Sequence, residues 1–251
     1  MSTYLTWIDN MLSNVNNYYL VIYSDETSSL CLQKYLQNPR IRLVITPVEE
    51  FYTYRYKDQW IKNHEKNALL RERVDWKVNM LWAEKVHFVY ETMCQNYFNT
   101  DFYGWCDIGY FRGNPTDLDK TTLSNWPNPD RVSVLNRDKI YYACVQKNDE
   151  YIRELSALVL RKNENKLPIV PIPPNQVSIA GGFFVTHKHN LAWWRNEFDS
   201  KLALYFKHDY LVKDDQLIIV DCVFSNMSHF TLCKEHNVWF DNWFMFQRLL
   251  L

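Results

Sequence analysis

Asp107 is the acidic residue whose surroundings most need an explanation. It breaks the apolar run Phe102-Tyr103-Gly104-Trp105-Cys106-Asp107-Ile108-Gly109-Tyr110-Phe111, where a carboxylate loses hydration unless it is paired, hydrogen-bonded or bound to metal. Either it ends a strand and accepts backbone N–H bonds, or it faces a metal or a diphosphate in a nucleotide site. Hard divalent cations take oxygen ligands and bridge one or two carboxylates to substrate phosphates. Asp214 and Asp215 precede the apolar stretch Leu217-Ile218-Ile219-Val220. Capping a helix N-terminus there takes one of them and leaves the other for chemistry. Lys85 lies at the edge of a helical apolar face set by Trp82, Val86, Val89 and Met93. Its ammonium either reaches out to water or points toward the Asp107 strand end.

The five glycines fall in two places. Gly104, Gly109 and Gly113 bracket Asp107, and Gly181-Gly182 interrupts a later apolar run. Such placement fits a bulge and a turn, or backbone brought close to a ligand. Other chemistries lack their residues. No G-x-x-x-x-G-K-[ST] or G-x-G-x-x-G is present, which removes P-loop and standard dinucleotide sites. No G-x-S-x-G supports a hydrolase nucleophile elbow. The seven histidines contain no H-E-x-x-H, and the six cysteines contain no C-x-x-C pair. Reduced thiols in a cytosol are expected.

The elements that must position these residues read as an α/β protein. Tyr19-Leu20-Val21-Ile22-Tyr23 is an apolar strand that feeds a polar turn and a helix reaching residue 35; Ile41-Arg42-Leu43-Val44-Ile45 is a second strand. Strand, helix and strand at this spacing form a βαβ unit and predict a parallel sheet. Residues 58 to 97 read as helix throughout, and 102 to 111 as a strand central to the sheet. Residues 113 to 129 read as a long loop, 140 to 145 as strand and 149 to 161 as helix. Residues 177 to 186 read as strand with a glycine interruption, and 191 to 206 and 217 to 224 as helices. The aromatic C-terminal segment is expected to pack over the core.

Composition sets the outer limits. The chain has 251 residues, 47% hydrophobic and 23% charged, with net charge −1. A pI near 6.7 leaves no basic field to hold nucleic acid or an anionic membrane. No apolar window is long enough for a transmembrane segment, and the N-terminal residues lack the basic and apolar regions of a secretory signal. The expectation is a single cytoplasmic domain spanning 1–251. The aromatic fraction, 16% with ten Trp and seventeen Tyr, is assigned to packing.

Glu49-Glu50-Phe51, Asn79 with Trp82 and Lys85, the stretch Trp105-x-Asp107-x-Gly109 with Arg112, Ala180-Gly181-Gly182-Phe183-Phe184 and Asp214-Asp215-Gln216 together carry a resemblance. The chain resembles the HtrL/YibB-like glycosyltransferase family, of GT-A type, over residues 18 to 224. The resemblance implies a GT-A-like Rossmann-type fold, a mostly parallel central sheet flanked by helices. Residues 18–112 would form the nucleotide-sugar-binding half, and 113–251 the acceptor half and C-terminal tail. It implies transfer of a sugar from a nucleotide-sugar donor to a glycan or other hydroxyl acceptor. Lys85, Asn79, Trp105, Asp107, Gly109, Arg112, Gly181 and Gly182 are then donor-site residues. Tyr23, Ser24 and Asp25 would hold base and ribose, although N-capping explains Ser24 and Asp25 as well. Asp215 would take the acceptor proton, with Asp214 as cap or orienting group. Metal-dependent members of this fold carry Asp-x-Asp, and Gly109 stands at the second position here. The expected cofactor is a divalent cation, Mn²⁺ or Mg²⁺, on Asp107 alone. The alternatives are a sugar-1-phosphate nucleotidyltransferase and a non-catalytic binding protein on the same fold.

Overall fold

The computed structural model describes residues 2–113, 120–237 and 239–251. Helix α1 (Ser2–Leu12) leads into β1 (Leu20–Ser24), the one-turn α2 (Glu26–Ser29) and β2 (Ile41–Ile45). Helices α3 (Lys57–Lys66) and α4 (Trp76–Gln95) precede β3 (Phe102–Cys106). The short α5 (Lys120–Leu123) and α6 (Pro129–Ser133) follow, then β4 (Ile140–Cys144), α7 (Asp149–Leu160) and β5 (Ile179–His187). The chain closes with α8 (Leu191–Lys207), α9 (Asp215–Ser225), β6 (Phe230–Cys233) and α10 (Met245–Leu249). The expected loop over 113–129 falls partly on 114–119, outside the described residues.

The strands form two sheets. β1 and β2 pair in parallel, as the βαβ spacing predicts. The larger sheet has the order β3-β5-β4-β6 and is mixed: β3 and β4 run antiparallel to β5, and only β4 and β6 pair in parallel. The expectation of a mostly parallel central sheet therefore holds for the small sheet and is corrected for the large one. β3 is also an outer strand of the large sheet rather than its centre. The strand ends at Cys106, because Asp107-Ile108-Gly109-Tyr110 closes a turn with Tyr110 N–H donating to the Asp107 carbonyl at 2.8 Å.

Both faces of the large sheet are covered, so its inner strands read as continuous apolar runs. On β4, Ile140, Tyr142 and Cys144 face a core shared with α4, α7, α8 and α9, while Tyr141 and Ala143 face the opposite core. Phe184 of β5 faces the first, and Phe183 and Val185 face the second. Period-two alternation thus binds helices to one face and the C-terminal segment to the other. Trp194, Phe198 and Phe246 are fully buried, each contributing about 1.5–3 kcal/mol. A third cluster, Leu12, Val15, Leu32, Tyr35 and Ile41, joins α1 to the small sheet.

Three local departures have physical causes. The helix expected over 58–97 breaks after Lys66, since Asn67 leaves helical ψ and Asp75 recaps α4 by accepting from the Lys77 N–H at 2.8 Å. β5 runs through Gly181-Gly182, but its register against β4 shifts there: Tyr142 faces Phe184 and Cys144 faces Ile179. The glycines form a bulge. β6 had no signal beyond a four-residue apolar segment. It forms because β4 offers a parallel edge to Phe230, whose ring is buried beside Trp194.

Candidate functional site

Four elements meet at the Lys85 ammonium. Lys85 projects from α4, Asp107 follows β3, Gly181 sits in the β5 bulge and Asp215 opens α9. Lys85 Nζ lies 3.2 Å from Asp107 Oδ1, 3.1 Å from Asp215 Oδ2 and 3.0 Å from the Gly181 carbonyl. An ammonium has three donors, and three acceptors from three elements converge on it. The Lys85 and Asp215 side chains are buried, whereas Asp107 is 39% exposed and faces outward. Trp105 Nε1 donates to Asp107 Oδ1 at 2.5 Å and fixes its plane.

The glycines explain how these groups come so close. Asp107 N–H donates to the Gly182 carbonyl at 2.9 Å, extending the β3–β5 ladder by one residue. A Cβ on Gly181 would stand 2.9 Å from Asp215 Oδ2, and one on Gly182 would stand 3.3 Å from Asp107 Oδ2. The bulge therefore has to be built without side chains. Gly109 lies in the same cleft but makes room for a protein group: its Cβ would meet the Trp7 ring of α1 at 3.1 Å.

The paired acids have separate surroundings. Asp214 is the N-cap of α9, accepting from the Leu217 N–H at 3.3 Å, and pairs with Lys213 at 2.6 Å. Asp215 is the one turned to Lys85. Burial raises its pKa to about 7, against the pull of Lys85 and with Asp214 and Asp107 adding to the rise. Lys85 is held in its charged form: burial alone would lower its pKa, and the adjoining Asp215 and Asp107 carboxylates drive it above the usual lysine value.

The cluster opens on a cleft of about 1380 Å³. Tyr23 and Ser24 at the end of β1, with Lys85, Trp105, Asp107, Gly109, Arg112, Gly181, Gly182, Asp214 and Asp215, line it. Tyr23 stacks on Phe88 at 4.4 Å, and Phe88 lies parallel to Trp105 at 5.9 Å, so an aromatic wall joins β1 to the Asp107 corner. Arg112 is braced: its Nε donates to the Gly109 carbonyl at 2.8 Å, and its guanidinium lies over Trp7 at 4.8 Å and near Phe244 at 5.3 Å. That sandwich presents a guanidinium, a bidentate phosphate partner, to the same cleft.

Two residues expected at the donor site lie outside the cleft lining. Asp25 is outside the cleft lining and caps α2, accepting from Ser28 N and Oγ at 2.8 and 2.6 Å. Asn79 is buried on the far side of α4 and donates to the Val212 and Lys213 carbonyls at 3.3 and 3.0 Å. Its role is nevertheless tied to the site. Asn63 exchanges hydrogen bonds with both backbone groups of Val212 at 2.8 and 2.9 Å, and Asn67 donates to the Lys213 carbonyl at 2.9 Å. Asn63, Asn67 and Asn79 thus clamp the two residues that precede Asp214-Asp215. Sequence reasoning missed Asn63 and Asn67, although two Asn four residues apart in a helical stretch are costly there and ask for a reason.

The expected divalent cation does not fit these residues. Both Asp107 oxygens lie within 3.4 Å of the Lys85 ammonium. Asp215 stands on the other side of that ammonium, Asp214 is taken by its cap and by Lys213, and position 109 carries no carboxylate. No grouping of three or more His, Cys, Asp and Glu suited to a metal occurs among the described residues.

Elsewhere, the structure contains no disulfide among the six cysteines. No helix of the described residues is long and apolar enough to cross a membrane. No curated protein and no solved structure matches the chain. A family profile described as "Bacterial protein of unknown function (HtrL_YibB)" matches residues 1–248. That match spans nearly the whole chain, including every residue of the Lys85 cluster, and the chain belongs to the HtrL_YibB family.

Proposed function

We propose that the protein is a glycosyltransferase of GT-A type that transfers a sugar from a nucleoside-diphosphate sugar to a hydroxyl of a glycan or similar acceptor. The observation that carries this reading is the convergence of Lys85, Asp107, Asp215 and the Gly181-Gly182 bulge on the floor of a cleft with an aromatic wall. The nucleoside lies along Tyr23 and Ser24 at the end of β1, its base against the Tyr23–Phe88–Trp105 wall. Arg112 holds the diphosphate, and the Asp107 carboxylate accepts from donor hydroxyls. The bulge, without side chains, leaves room for the Asp215 and Asp107 carboxylates beside the donor sugar.

In the transfer, the acceptor oxygen forms a bond to the anomeric carbon as the bond from that carbon to the diphosphate oxygen breaks. The acceptor proton passes to Asp215, and the electron pair leaves with the nucleoside diphosphate. A carboxylate whose pKa lies near neutrality is suited to take that proton at physiological pH. Most of the rate acceleration comes from positioning and from fixed charge at the departing diphosphate.

The test is chromatographic. UDP-, GDP-, CDP-, ADP- and dTDP-sugars are incubated with the protein and a panel of hydroxyl acceptors, and free nucleoside diphosphate is quantified. One donor is expected to release its diphosphate in an acceptor-dependent way, and Asp107→Asn is expected to abolish the release. Release from none of the donors across the panel, or undiminished release by Asp107→Asn, contradicts the reading.

A further inference from the structure

A site that handles diphosphate needs positive charge, and the residues here do not offer a divalent cation its ligands. The geometry shows what fills the place. Two carboxylates and one carbonyl, all hard oxygen donors, point at a single spot from Asp107, Asp215 and Gly181. That arrangement is one a metal ion would take, and the Lys85 ammonium occupies it at 3.0–3.2 Å from each. The side chain is buried, arrives from the rigid middle of α4, donates to Asp107 and to the Gly181 carbonyl and pairs with Asp215, so it is a fixed part of the floor.

Resting on the donor-site reading above, we propose that Lys85 is the resident cation of the site and that nucleoside diphosphate binds and departs without a divalent metal, with Arg112 making the direct phosphate contact. The charge of the group changes during the transfer. With both carboxylates ionised, the Lys85–Asp107–Asp215 group carries one net negative charge. When Asp215 takes the acceptor proton, the group becomes neutral at the moment the diphosphate gains negative charge. Proton transfer and leaving-group stabilisation are thereby linked through one ammonium. Arg112, braced by Trp7, Phe244 and the Gly109 carbonyl, supplies the second positive charge.

Calorimetric titration of the wild-type protein with UDP, GDP, CDP, ADP and dTDP, in EDTA and again in excess Mn²⁺ or Mg²⁺, tests this directly. At least one nucleotide is expected to bind in EDTA, with its Kd changed by less than about threefold on adding metal. Binding that requires Mn²⁺ or Mg²⁺ overturns the proposal and leaves the donor site standing. Binding of none of them in either condition removes the donor site itself, and the resident-cation role with it. A second measurement reads the vacated position. Titrated with Mn²⁺ alone, the wild-type protein is expected to show no site, whereas Lys85→Ala, with its three oxygens released, is expected to bind Mn²⁺ by electron paramagnetic resonance. Should Lys85→Ala fail to fold, the charge-balanced pair Lys85→Met with Asp215→Asn replaces it, and is expected to lose nucleotide affinity about tenfold or more in EDTA. Stoichiometric Mn²⁺ binding by the wild type, or unchanged nucleotide affinity in the double variant, contradicts the assignment.

Discussion

Asp215 and Gly181 show how finely the site depends on single atoms. Asp215 faces a buried ammonium on one side and the cleft on the other, and its pKa is raised to about 7. A base must be ionised to accept a proton, so turnover is expected to fall as pH drops through about 7, and a kcat profile measures this. Asp215→Asn is expected to keep donor affinity while lowering turnover roughly 10²–10⁴-fold; near-wild-type turnover would reduce Asp215 to part of the α9 terminus. Gly181→Ala acts on the same carboxylate from behind. Its Cβ would lie 2.9 Å from Asp215 Oδ2, and β5 is buried and cannot retreat. We expect about 1–3 kcal/mol of destabilisation by denaturant titration, with a larger proportional loss of turnover. Gly182→Ala, with its nearest contact at 3.3 Å, is expected to be milder.

At the scale of elements, the site depends on how α9 is presented. Asn63, Asn67 and Asn79 hold the backbone of Val212 and Lys213 from α3, the α3–α4 turn and α4. Asn63→Ala leaves the buried N–H of Val212 without a partner and its carbonyl with only the longer Asn79 contact, at a cost of about 1–3 kcal/mol. Chemical denaturation should register that loss, and turnover should fall beyond what the unfolded fraction explains, because Asp214 and Asp215 follow directly. What the sequence disclosed divides along the same line. β1, β2, β4, α7 and α9 were legible because each is a local apolar pattern ended by polar or capping residues. Asp107, Lys85 and Asp215 were legible as residues out of keeping with their runs. The antiparallel pairing of β3 with β5 was not, since register between distant strands leaves no local trace; β6 and the helical N-terminus escaped for want of length or periodicity. The contact of Asn79 with Val212 and Lys213 was not legible, because an Asn on a helix near a candidate lysine carries no mark of which way it turns. Asp25 followed the ordinary capping rule that its position already suggested.

The whole molecule stores a pH sensitivity away from the cleft. His87 is buried in α4, stacked on Tyr52 at 4.0 Å, and both of its ring nitrogens lack partners. Burial lowers its pKa to about 3, with Arg195 and Arg55 adding to the effect. In the unfolded chain it titrates near 6.5, so acid protonates the unfolded state first. Its contribution to stability is full above about pH 6.5 and is lost as pH falls toward 3. His87→Phe keeps a ring against Tyr52 and removes the titration. Relative to wild type, the variant is expected to gain about 2 kcal/mol between pH 7.5 and pH 5, read from urea unfolding at both values. A constant difference across that range would show that His87 has a charged partner when folded.

The function proposed for the whole molecule requires the cleft above the Lys85–Asp107–Asp215 floor to receive a nucleotide-sugar donor. The most direct measurement is a calorimetric titration of nucleoside-diphosphate sugars, whose sugar hydroxyls Asp107 would accept from, into wild-type protein and Asp107→Ala side by side, with circular dichroism confirming that both are folded. Asp107 is the exposed carboxylate of the group and the least burdened by packing. One nucleotide sugar is expected to bind the wild type and to lose about tenfold or more in affinity to the variant. Equal affinity for both proteins, or no binding to the wild type by any of the nucleotide sugars, would contradict the account.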